Sequence, residues 1–185
     1  MEELKVKLDE IIDDVMQKKS VVWDLDCITK LQEEYAIFFP KDYIFYLQYY
    51  GNDYIKEGYR FKPKKSLMKV LAQESFELNA IFGFYDDENN LTKELGFCKD
   101  IIPINLFPIA DLLGGNFVCM DKENGQIYFW IHDEMEDVYF VAPNFTEFIM
   151  RIQFEQSKKI DLDSINLNLS SDLDELLRNA AEEYK

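Results

Sequence analysis

Histidine is almost missing from this chain: there is one, His132. Neither HExxH nor any other multi-histidine metal motif is possible on that count, and GxSxG, Walker-type and GxGxxG signatures are also absent. His132 stands beside Asp133, a pairing that in principle suits a general acid or base. With no serine or cysteine at motif spacing, it reads as a strand-end residue hydrogen-bonded across a turn. Cysteine is scarce too. Cys27, Cys98 and Cys119 are odd in number and lack CxxC spacing, so they read as reduced, half-buried small hydrophobes, with no disulfide or metal framework. Only seven glycines and five prolines accompany a 48% hydrophobic and 15% aromatic content, which excludes a chain disordered throughout. No apolar run approaches the roughly 20 residues that cross a bilayer. The start, MEELKVKLDEIIDD, is acidic and amphipathic where a signal peptide is basic and then apolar, so a cytoplasmic location is expected.

Positive charge is the other deficit. Twenty basic residues face 36 acidic ones, for a net charge of −16 and a sequence pI near 4.4. Phosphate backbones and anionic lipids are repelled, so neither nucleic acid nor membrane is an expected partner. A basic protein would be drawn in by the summed field; the same acidity also serves solubility alone.

What the chain does have is aromatic-rich alternation. Residues 107–149 hold three apolar runs, at 117–120, 126–131 and 138–142, separated by turn chemistry. This predicts a strand meander closing onto a helix. Asn124-Gly125 suit the positive φ of a tight hairpin turn. The run at 126–131 is apolar at nearly every position, which predicts a central strand covered on both faces. Pro143 stops the third run, and Asn144 is placed to cap a helix over 145–149.

Upstream, Leu4, Leu8, Ile11, Ile12, Val15 and Met16 make one helical stripe within residues 1–19. Thr29 with Gln32 fits a capping box for a second helix whose Leu31 and Tyr35 face inward, and Pro40 starts a third that ends at Gly51. The third is crowded with Tyr43, Phe45, Tyr46, Tyr49 and Tyr50, a spacing that reads as core. Weaker strand patterns lie at 59–61, 67–71, 80–84 and 101–104. Lys62, Lys64, Lys65 and Lys69 form the one basic patch and read as partners for local carboxylates. The organisation expected is an amphipathic helix and linker at 1–24, an α+β domain at 25–155, and an acidic extension at 156–185, partly helical or mobile.

Two acidic clusters stand out. Asp133, Glu134, Glu136 and Asp137 follow the apolar run at 126–131, and Asp86, Asp87 and Glu88 form an exposed turn. Neither the second cluster nor 121–125 fits an EF-hand loop. If one patch meets a basic partner, Asp133, Glu134, Glu136 and Asp137 are the first candidates and Asp86, Asp87 and Glu88 the second. No catalytic, cofactor-binding or metal-ligating residues are assigned.

The order Leu31…Phe39-Pro40-x-Asp42-Tyr43…Leu47…Tyr50-Gly51, Ile81-Phe82-Gly83, Ile102-Pro103-Ile104, Phe107-Pro-Ile-Ala-Asp111…Gly115-Asn116…Asp121…Gly125…Tyr128-Phe129…His132-Asp133 and Asn144-Phe-Thr-Glu-Phe-Ile149 resembles the SUKH superfamily. That group joins fungal cell-wall assembly regulators with bacterial immunity proteins, and the likeness spans about residues 25–152. The resemblance implies an α+β fold, a mostly antiparallel sheet of about six strands packed against N-terminal helices and a C-terminal helix. It also implies a protein without catalysis or cofactor that binds and neutralises a cognate toxin, often a nuclease, and takes no small-molecule substrate. The alternative it implies is an intracellular regulatory or scaffold module. An enzyme built on His132 is the third reading.

Overall fold

The structure, a computed structural model, describes residues 1–13, 24–51, 53–64, 74–84, 86, 88–132 and 138–156. Met1–Glu155 is one compact unit and Gln156–Lys185 a second, of which all but Gln156 lies outside the described residues. The readings at Val15, Met16, Lys65, Lys69, 67–71 and the extension beyond 156 therefore fall outside them as well.

The element order is α1 (Glu2–Ile11), α2 (Leu25–Tyr35), α3 (Lys41–Tyr49), β1 (Asp53–Tyr54), β2 (Tyr59–Phe61), β3 (Phe76–Ile81), α4 (Leu91–Phe97), a 3₁₀ turn (Cys98–Asp100), β4 (Leu106–Leu112), β5 (Asn116–Asp121), β6 (Ile127–Trp130), β7 (Val138–Ala142), α5 (Phe145–Ile149) and β8 (Ile152–Phe154). The fold is α+β, as the resemblance implied. Every pairing in the sheet is antiparallel, in the order β7-β6-β5-β4-β3-β2-β8, with β1 beside β3 off that path.

Local chemistry explains most boundaries. The α1 stripe buries Leu4, Leu8 and Ile11 completely, and Ile12 bridges to Ile55. Helix α2 starts four residues before Thr29: Asp24 is its cap, accepting from the Asp26 amide, while Thr29 lies inside the helix and donates to the Leu25 carbonyl. Gln32 is also used otherwise, accepting from the Phe39 amide to fold the connection back after Ala36 has turned left-handed at φ 51°. Asn144 caps α5 by accepting from the Glu147 amide at 2.8 Å, as its position predicts.

Three sheet expectations need correction. The segment 101–104 is turn and bend, not strand; pairing begins at Leu106. Proline inside a strand removes a ladder donor, and β4 accommodates Pro108 with a bulge between Pro108 and Ala110. Strand β6 is covered on both faces but is not central, since only β7 lies beyond it. The 121–127 connection is longer than a tight hairpin: Asp121 Oδ1 accepts from the Glu123 and Asn124 amides, and of the pair Asn124-Gly125 only Gly125 has positive φ.

The main core lies between the helices and one face of the sheet. Tyr43 meets Phe145 edge-on and Tyr46 meets it tilted, with centroids 5.1 and 5.5 Å apart, and Phe61 packs on Phe129 and Phe148. On the other face a smaller cluster joins Cys98, Ile102, Leu106, Cys119 and Trp130. Cys98 and Cys119 are thus fully buried, whereas Cys27 is exposed, against the half-buried reading.

The two core tyrosines differ in one atom's circumstances. Tyr46 Oη donates to the Ile81 carbonyl at 2.8 Å, tying α3 to β3. Tyr43 Oη is buried with no hydrogen-bond partner. Desolvation of an unpaired hydroxyl costs about 1–3 kcal/mol, so Tyr43→Phe is expected to leave stability unchanged or raise it by up to about 1 kcal/mol. Tyr46→Phe should lower it by about 1–2 kcal/mol by orphaning a buried carbonyl. Urea denaturation of the two variants checks the contrast, and equal losses would contradict it.

Candidate interaction surface

Of the acidic residues singled out from the sequence, Asp133, Glu134, Glu136, Asp137 and Asp87 lie outside the described residues. The other two are engaged locally. Asp86 accepts from Lys93 Nζ at 2.6 Å on the first turn of α4, and this ammonium holds its carboxyl below the ordinary range. Glu88 accepts from Tyr54 Oη, and Asn90 caps α4 by accepting from the Lys93 amide. The turn at 86–90 is thus tied to β1 and α4 by its own polar groups.

His132 sits exposed after β6. Its amide and Nδ1 both lie 3.1 Å from Asn116 Oδ1, the cross-turn hydrogen bonding anticipated for it. The buried thiols are poor nucleophiles: burial pushes Cys98 up to about 12 and Cys119 well above the thiol range. Asp121 is buried and spends its oxygens on the Glu123, Asn124 and Asn105 donors. Two half-buried carboxyls, Glu94 on α4 and Asp111 on β4, are held above their ordinary range by burial, and Glu94 further by the Asp111 charge. Among the described residues no group of three or more His, Cys, Asp or Glu could hold a metal ion. No helix among them is long and apolar enough to cross a membrane.

A different feature emerges where three distant stretches meet. The end of α2, the segment from α4 to β4, and Lys122 after β5 enclose a groove of about 760 Å³. Tyr35, Leu95, Ile102, Leu106 and Phe107 give it apolar walls. Ile104 stands at its margin, 87% exposed, and Phe97 and Ile101 are exposed on the same connecting segment. Four charged residues line it: Glu34, Lys99, Asp100 and Lys122. Among the described residues these four make no ion pairs, and burial holds the Lys122 ammonium below the ordinary lysine range. No sequence pattern marked this groove, because the stretches that line it meet only in the folded chain.

With the sheet order and the helices in place, residues 24–151 match the SMI1 / KNR4 family (SUKH-1). The chain belongs to that family. A relative, the SPbeta prophage-derived uncharacterized protein YokK of Bacillus subtilis (strain 168), is 30% identical over 149 residues, covering 72% of this chain and 78% of its own. Within this SUKH-1 chain, the matched region contains α2 through α5 and the whole groove.

Proposed function

We propose that this SUKH-1 protein is a non-catalytic immunity protein that binds a cognate, basic toxin domain, such as a nuclease, and neutralises it by steric and electrostatic occlusion. The observation that carries the reading is a net charge of −16 on a chain of this family. An acidic surface is complementary to a domain that itself binds nucleic acid, and complementarity of this kind raises association rates by about 10–1000-fold at low salt. The prophage origin of the similar YokK supports a role in conflict between genetic elements. The SUKH group is generally immunity or regulatory in role, which supports a binding function without a reaction and without a cofactor.

Because Asp86 and Glu88 already have local partners, the proposal places the main electrostatic contact at Asp133, Glu134, Glu136 and Asp137, with Asp86, Asp87 and Glu88 secondary. Replacing those four residues with lysines should slow association with the cognate toxin domain by about tenfold or more, and flatten its salt dependence. Stopped-flow or biosensor kinetics across a salt series read this directly. Unchanged kinetics would remove that segment from the contact. A wild-type chain that ignores the neighbouring polypeptide and recovers only endogenous host proteins would instead support the regulatory or scaffold role.

A further inference from the structure

We propose that the groove between α2, the α4–β4 segment and Lys122 is a self-complementary dimerisation surface, on which Ile104 of each copy enters the groove of the other across a twofold axis. A twofold interface must present both halves of every contact on one patch. This patch does so twice. It sets an almost fully exposed aliphatic side chain, Ile104, beside an apolar-walled groove of about 760 Å³. It also carries two cations, Lys99 and Lys122, and two anions, Glu34 and Asp100, none of which makes an ion pair among the described residues. In a protein of net charge −16 this groove lining is balanced in sign, so it fits a second copy better than a basic protein. The inference goes beyond the proposed function and does not rest on it.

The experiment is sedimentation equilibrium of the full chain over a wide concentration range at low and high salt, with Ile104→Glu in parallel. The wild-type chain should show a monomer–dimer equilibrium that tightens as salt screens the repulsion between two copies of charge −16. Ile104→Glu should weaken the dimer by about 100-fold or more, because each dimer carries the change twice at a central contact. Its thermal midpoint at low concentration should stay at the wild-type value, since the side chain is 87% exposed. A second pair keeps the charge argument separate. Lys122→Glu should weaken the dimer, and adding Glu34→Lys or Asp100→Lys should restore it. A chain that stays monomeric at every concentration and salt overturns the proposal, as does a dimer indifferent to Ile104→Glu. A monomer whose Ile104→Glu variant loses affinity for a basic protein also overturns it and assigns the groove to that partner.

Discussion

Asp42→Ala is expected to cost about 3 kcal/mol of stability, lowering the thermal midpoint by about 6–12 °C. Asp42 lies in the first turn of α3, where its Oδ1 accepts from the Tyr43 amide at 3.0 Å. Its Oδ2 reaches across 104 positions of sequence to accept both the Thr146 amide at 2.8 Å and the Thr146 hydroxyl at 2.9 Å. One carboxylate therefore joins the start of α3 to the start of α5, above the aromatic contacts of Tyr43 and Tyr46 with Phe145. Alanine leaves a part-buried amide and hydroxyl without an acceptor and also removes a negative charge from a helix N-terminus, which is worth about 0.3–1 kcal/mol more. Asp42→Asn keeps an acceptor oxygen for Thr146 and should recover about half of the loss. Thermal and urea unfolding of the two variants tests this; an alanine variant as stable as the wild type would show that the α3–α5 junction does not depend on Asp42.

Gly125→Ala should be comparably severe, about 3 kcal/mol, by an unrelated mechanism. Gly125 holds φ at 71°, a left-handed backbone that costs an L-residue about 1–2 kcal/mol. A Cβ there would also collide with the Pro40 ring, whose position is set by the start of α3. The Phe38 amide donates to the Lys122 carbonyl at 2.8 Å, which holds the same loop against the same turn. Neither side of this contact is a flexible side-chain tip that could swing away. Gly125→Asn is the informative companion: asparagine tolerates the left-handed region, so its remaining loss reports the collision with Pro40 alone. Equal stability of wild type and alanine variant in urea would contradict this account of the turn.

These two positions also show what was readable in advance. Asp42 and Gly125 both belong to the stretches that carried the resemblance, and Asn144 was readable as a cap because a short polar side chain before an amphipathic run has few other uses. The meander strands were legible from alternation, and β5, β6 and β7 fall close to the three apolar runs. The start of α2 was misplaced because two acceptable caps, Asp24 and Thr29, stand five positions apart, and the earlier one gives the longer helix. Pro108 hid β4, since only a bulge lets proline sit inside a paired strand. Strand β1, with two residues, and β8, with three, are too short to show a period and exist because β3 and β2 offer them free edges. The engagement of Asp86 and Glu88 was invisible for a similar reason, since Lys93 and Tyr54 come to them only through the packing of α4 and β1. Net charge was legible at once, but the groove was not. Its walls come from residues 34–36, 95–108 and 122, which meet only once the sheet has formed.

The central claim is tested most directly by growth. The polypeptide encoded immediately beside this gene is expressed in a host cell from an inducible promoter, alone and together with the present chain. The account predicts that the neighbour arrests growth alone, that co-expression restores growth to near the uninduced rate, and that the two chains co-purify. A neighbour that arrests growth equally with and without this chain, or one that is harmless by itself, would contradict it.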